Sequence, residues 1–387
     1  MVAAGVFQFV TYACYFNLTP LYPEVSVDLG LNAGELGTLI GVGGIVSVLV
    51  QVPAGSGGDR WGRRPFFALA MLMLALSQLA RWQSTAPPML LAAQVLGGGA
   101  QGIATVNAWA AVADYTEARP RMRGQAFGVL NANLALGLVA GYLIAGGLGS
   151  LVGWRSMSLV LVLVPLAALP ALGWVGRHSS AAGTRPGLGT ILRSVTQRER
   201  LALTLMAALT LAAGQGALYL LPFAVQQRDL GPFAAALLLV PYVVGSVIAG
   251  PLGGRVSDRF GTRHIIVVML LTGVIATTTL IWGATEPLLF VTAFTLIGAS
   301  VNGALPLMAV RVVAVSNSAS VGVGSILAGL RMGQSSGTFL GPAIAGLMLA
   351  HLGLNAGWLA QAACLLASLV LLELSTSRIS ACRQLST

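Results

Sequence analysis

The stretch GGDRWGRR, Gly57 to Arg64, puts four charges into eight residues of a chain whose Asp, Glu, Lys and Arg together make up only 8%. It follows the apolar run LIGVGGIVSVLVQVPAG, Leu39 to Gly55. An apolar run closed by a burst of arginine has the form of a helix leaving a bilayer. A second such burst, GGRVSDRFGTR from Gly253 to Arg263, lies about two hundred residues further on, so the feature is repeated.

Working outward, 56% of the 387 residues are hydrophobic and the mean hydropathy is +0.84. Twelve apolar runs, near 4–24, 36–56, 65–84, 88–113, 124–148, 154–175, 201–225, 233–255, 264–283, 288–313, 322–350 and 356–374, each reach the roughly 20 residues that cross a bilayer as helix. They are continuous rather than alternating, which excludes a β-barrel. The expected fold class is therefore an all-α polytopic membrane protein of twelve transmembrane helices. The first run lacks a basic leader and a small-residue cleavage site, and reads as a retained span.

The net charge of +10 comes from arginine alone, because the chain has no lysine. Most of the 21 arginines fall on one side when loops are placed alternately, with Arg81, Arg155 and Arg228 on the other. That asymmetry speaks for membrane topology rather than nucleic acid, and it places both termini in the cytoplasm of a bacterial-type inner membrane. Cys14, Cys364 and Cys382 have no metal-ligand spacing. No nucleophile–base spacing or phosphate loop is present, so neither an enzyme nor a cofactor is expected.

Asp59 and Asp258 are 199 residues apart, and GLVAGYLIAG from Gly137 recurs as GTFLGPAIAG from Gly337. Gly153-Trp154 and Gly357-Trp358 open the sixth and twelfth runs. These offsets divide the chain into residues 1–175, a linker at 176–200, and residues 201–387, two six-helix bundles of like orientation. In this the chain resembles the major facilitator superfamily along its whole length. The superfamily's signature loop matches at Gly55, Asp59, Arg60, Gly62, Arg63 and Arg64, and its second copy at Gly254, Asp258, Arg259, Gly261 and Arg263, with Thr262 departing.

The resemblance implies that these residues form a conformational latch. Asp59 would meet the N-terminal end of span eleven, where free N–H groups favour an anion, and Arg63 would sit between Asp59 and Asp114. It also implies that spans one, four, seven and ten line a central cavity. Polar residues recur along single helical faces there: Gln8, Tyr12, Tyr15 and Thr19 in span one; Gln94 and Gln101 in span four; Gln215, Tyr219 and Gln226 in span seven; Asn302 in span ten. Asn131 in span five, with Arg331 and Gln334 in span eleven, completes the candidate lining, and Gly333, Gly337 and Gly341 form a separate packing stripe on span eleven.

NLTPLYPEVSVDLGLN, Asn17 to Asn32, resembles the twelve-span drug/proton antiporter branch, although the Gly-Pro step of that branch's fifth span stands here at Gly341-Pro342. A proton-coupled carrier needs a titratable group reachable from both sides, and the candidates are Glu24, Glu35 and Asp114. The spans lack a central carboxylate that would pair a cationic drug. The reading is a monomeric secondary exporter of small apolar or amphiphilic compounds, coupled to protons and acting in the lipid bilayer. Uptake of a small organic anion with Arg331 as counter-charge is the alternative, and a non-transporting receptor on the same fold is a reading of another class. Asp59→Asn is expected to leave the protein inserted and folded yet slow transport severely; near-normal turnover in that variant would remove the latch.

Overall fold

The computed structural model describes residues 2–117, 123–175, 198–282, 286–316 and 323–384. Most of the expected linker, the tail beyond Gln384 and the residues leading into span eleven lie outside them, and with them the expected partner of Asp59. Among the described residues all regular structure is helical. In chain order the helices are α1 (Val2–Tyr15), α2 (Tyr22–Asp28), α3 (Ala33–Trp61), α4 (Arg64–Trp82), α5 (Pro87–Glu117), α6 (Arg123–Ile144), α7 (Ser150–Leu161) and α8 (Leu163–Ala168). They continue as α9 (Arg198–Gln226), α10 (Pro232–Phe260), α11 (Thr262–Trp282), α12 (Pro287–Ser316), α13 (Val323–Leu352) and α14 (Leu354–Gln384).

Nine helical stretches among the described residues are long and apolar enough to cross a membrane. The difference from twelve has local causes. Ala126–Trp174 is one run that takes in two expected spans, and α13 is not among the nine. The first expected span breaks after Tyr15, because Pro20 and Pro23 supply no N–H to continue the ladder. A short 3-10 turn, Thr19–Leu21, carries the chain into α2. Thr19 therefore leaves the helical face of Gln8, Tyr12 and Tyr15, and its hydroxyl donates to Phe16 O at 2.8 Å.

The opening motif is a helix end rather than an extended loop. α3 starts on a capping box, with Asn32 Oδ1 accepting from Glu35 N and Glu35 Oε2 accepting from Asn32 N, both at 2.9 Å. It runs through Pro53 to Trp61, Gly62 turns the chain at φ 83°, and α4 begins at Arg64. Among the described residues positive φ occurs at Gly30, Gly62, Gly153, Asp229, Gly261 and Gly353. These fall into three pairs 199 or 200 residues apart, so the repeat holds at the level of backbone conformation. They also correct one boundary: the turn matching Gly153 is Gly353, and Gly357 lies inside α14 against Leu220.

The chain divides into two compact units, Met1–Gly183 with Leu221–Val240, and Thr184–Leu220 with Pro241–Thr387. Within the first, α6 lies on α1 so closely that a methyl at Gly137 or Gly141 would overlap the carbonyl oxygens of Phe9 or Ala13. Within the second, Gly337 and Gly341 of α13 meet the Ala208 and Ala212 carbonyls of α9 in the same way. Gly98 of α5 likewise abuts the backbone of Gly43, and Gly298 of α12 that of Tyr242. Small residues permit this approach, from which helices in lipid gain their packing attraction. The core of the first unit adds Phe7 stacked on Phe67 at 4.6 Å.

Trp82 and Trp282, again two hundred apart, sit exposed at the ends of α4 and α11, as interfacial tryptophans do. Gly141→Ala and Gly341→Ala are each expected to destabilise the protein by about 1–3 kcal/mol through overpacking. Gly128→Ala, where a Cβ meets nothing within 4 Å, is expected to be neutral or slightly stabilising. Thermal unfolding of the three purified variants checks the contrast.

Candidate functional site

Arg63 is 4% exposed and bridges two carboxylates within the first unit. Its Nε donates to Asp114 Oδ2 at 2.8 Å, and its Nη2 reaches Asp114 Oδ2 at 2.7 Å and Asp59 Oδ1 at 3.1 Å. The Gly62 turn makes this possible, because it sets Arg63 one helical turn from Asp59 while α4 leads away. The triad by itself carries one surplus negative charge, with Arg60 and Arg64 beside it in the motif. Arg60 and Arg64 are exposed, and Arg60 lies over the Trp61 ring at 5.5 Å. Gly55 packs against Val106.

The second copy is built differently. Asp258 and Arg259 are exposed, Thr262 occupies the place of Arg63, and Arg263 instead pairs with Glu373 of α14. Gly261 keeps the turn at φ 86°, and Gly254 has open space where a Cβ would be. The backbone of the motif is thus repeated, while its buried ion triad belongs to the first copy among the described residues.

The polar stripes resolve into two networks at matching places. In the first unit Gln101 Nε2 donates to Tyr12 Oη at 3.2 Å, Ser47 Oγ donates to Gln101 Oε1, and Gln51 Nε2 donates to Ser47 Oγ at 3.2 Å. This ties α1, α5 and α3 together through uncharged groups. In the second unit Asn302 Nδ2 donates to Tyr242 Oη at 3.1 Å and to Ser246 Oγ at 2.8 Å. Ser47 and Ser246 are 199 residues apart. Ser47, Gln51, Tyr242 and Ser246 were not among the expected lining residues; the i, i+4 spacing of Ser47 and Gln51 was their signal.

Other expected lining residues are packed away. Gln94 is 2% exposed, and the Tyr15 hydroxyl lies over Gly43. Gln8 is fully buried with both amide atoms unpartnered among the described residues. Thr19 and Tyr219 are also buried, Gln215 is half-buried, and Asn131 is exposed. Arg331 donates to Gln334 Oε1 at 3.0 Å, one turn away on α13.

Glu24 and Gln226 both line a partly open cavity of roughly 190 Å³ in the first unit, together with Pro20, Pro23, Pro222 and Leu230. Burial, reinforced by Asp28, raises the Glu24 carboxyl above its ordinary range. Glu35 is exposed and committed to the α3 cap.

Arg81, counted on the arginine-poor side near the end of the third run, is fully buried. It donates from Nη1 to Cys14 O at 3.0 Å and Asn17 Oδ1 at 2.6 Å, and from Nη2 to Tyr15 O at 3.2 Å. Those carbonyls are the unsatisfied C-terminal end of α1, the negative pole of the helix.

The profile of the Major Facilitator Superfamily matches residues 4–241 and 203–381. The chain belongs to this superfamily. It is a transporter family rather than a family of enzymes, and its members span the membrane and bind small-molecule substrates. The chain is 29% identical over 271 residues to a chloramphenicol resistance protein of Streptomyces lividans, covering 67% of each chain. It is 28% identical over 370 residues to a 4-hydroxybenzoate transporter of Pseudomonas aeruginosa, covering 84% of this chain and 81% of that one. A nucleoside transporter crystal structure superposes with a TM-score of 0.80 at 13% identity, over 97% of this chain and 98% of that chain.

Arg81→Met is expected to cost about 3–5 kcal/mol by stranding buried acceptors, with Arg81→Lys intermediate because it keeps charge but loses the fork. Unfolding of the detergent-solubilised variants measures both.

Proposed function

We propose that this superfamily member is a secondary active exporter of small, uncharged or weakly anionic amphiphiles, driven by protons through alternating access. The observation that carries the reading is the uncharged network of Tyr12, Gln101, Ser47 and Gln51, which can exchange hydrogen bonds with a neutral ligand. It offers no carboxylate to a cation. Resistance proteins among the relatives support export. Residues 1–175 and 201–387 act as the two rocking halves around the 176–200 linker, in a monomer with both termini in the cytoplasm. The Arg63 triad is the state-dependent latch.

Glu24 is the favoured proton carrier, because its raised carboxyl lies beside a cavity rather than in a cap. The sign follows from the direction of the shift. A raised carboxyl holds its proton to a higher pH than an ordinary glutamate and releases it as pH rises through that value. Transport should therefore show a limb above the usual carboxylate range, and that limb should vanish in Glu24→Gln.

A second reading is uptake of an aromatic carboxylate, favoured by the 4-hydroxybenzoate and gallate transporters among the relatives and by Arg331 on α13. Purified protein in liposomes with an imposed pH gradient separates the two. Chloramphenicol moved uphill against protons, with 4-hydroxybenzoate untouched, supports export. Flux of 4-hydroxybenzoate that needs Arg331 replaces it with uptake.

A further inference from the structure

Arg311 lies near the end of α12, and its buried Nε has no hydrogen-bond acceptor among the described residues. The charged groups that act on its guanidinium are Arg263, at the start of α11, and Glu373, in α14. Those two already form an ion pair, with Arg263 Nη2 donating to Glu373 Oε2, and each is about half exposed. One carboxylate thus faces two arginines, and it pairs with the more exposed of them.

Carboxylates are scarce in this part of the chain. From Pro287 through Leu372 there is no aspartate or glutamate, and the residues after Glu373 add Arg378 and Arg383 without an acid. Asp258, on α10, is exposed to solvent. A buried guanidinium N–H without an acceptor is costly, and more so at a membrane boundary, where water is scarce.

The depth of the cluster follows from helix length. α11 has 21 residues, about 31 Å at ~1.5 Å per residue, which matches the ~30 Å hydrocarbon core. Trp282 is exposed at one end of this helix, so Arg263 at the other end lies at the opposite interface. Arg311 lies in the last two turns of α12, which ends at Ser316, and Arg263 and Glu373 act on it electrostatically, which sets it near the same interface.

We propose that Arg263, Arg311 and Glu373 form a binding site for an anionic phosphate group, supplied by a phospholipid headgroup. Planar guanidinium forks match phosphate oxygens, and basic pockets between spans on the arginine-rich side take anionic headgroups. The phosphate supplies an acceptor for Arg311 Nε and offsets the surplus charge. Glu373 limits the affinity, because it neutralises Arg263.

The test uses the full chain in phosphatidylcholine nanodiscs, with or without phosphatidylglycerol or added inorganic phosphate. Lipid retained by the protein is read by native mass spectrometry, and stability by thermal unfolding. Preferential retention of phosphatidylglycerol is expected, reduced roughly fivefold in Arg311→Gln and largely kept in Arg311→Lys. Glu373→Gln should raise retention, whereas a purely structural ion pair would lose it. Stabilisation by inorganic phosphate in phosphatidylcholine alone, dependent on Arg311, would assign the same chemistry to a free anion. Wild-type retention in Arg311→Gln, or loss of retention in a folded Glu373→Gln, overturns the site.

Discussion

Lipid provides no hydrophobic drive between helices, so spans associate only as tightly as their side chains let backbones approach. At Gly137 and Gly141 α6 reaches the backbone of α1, and at Gly337 and Gly341 α13 reaches that of α9, with carbonyls where methyl groups would otherwise stand. The rest of each unit is arranged around these contacts and those of Gly98 and Gly298. They fix which faces of α1, α5, α10 and α12 remain for polar side chains, and hence where Gln101 and Asn302 make their hydrogen bonds. Packing is repeated between the units, and polar chemistry only in part: Ser47 and Ser246 correspond, whereas the tyrosine of one network, Tyr12, lies on α1 and that of the other, Tyr242, on α10.

Charge follows a different logic. A carboxylate or guanidinium at a membrane boundary must find a partner, and three solutions are visible. Arg63 is shared by Asp59 and Asp114, Arg81 is satisfied by the carbonyl end of α1, and Arg155 pairs with Asp28, which also accepts from Trp154. The first lies wholly within one unit and holds Asp59 at the end of α3. The second is built into the end of a helix and is suited to holding α1 while other elements move. Arg81 thereby fixes the break between α1 and α2, beside which Glu24 and its cavity are placed.

Much of this was legible in the sequence. Continuous apolar runs specified helices, the 199–200 residue offset recurs in the positive-φ positions, and GGDRWGRR pointed to the superfamily. What escaped had physical causes. A pattern read at 3.6 residues per turn does not register that Pro20 and Pro23 end α1 early, so Thr19 was placed on a face it does not share. Polar residues on an otherwise apolar helix look alike whether they line a cavity or are packed away, which is why Gln94 and Tyr15 were grouped with Tyr12 and Gln101. Arg81 was counted only for the side it falls on, and its burial escaped because it is held by backbone carbonyls, which no side-chain pattern reveals.

The most direct measurement of the central claim, that the Arg63 triad sets the conformational equilibrium, is a pulsed electron spin resonance distance between labels at Ser56→Cys and Val256→Cys. Both sites are exposed, on α3 and α10, and the native cysteines are replaced. The account predicts that Asp59→Asn and Asp114→Asn shift the distance distribution in the same direction, with Arg60→Gln leaving it in place. A distribution unchanged by either aspartate substitution in folded protein would contradict it.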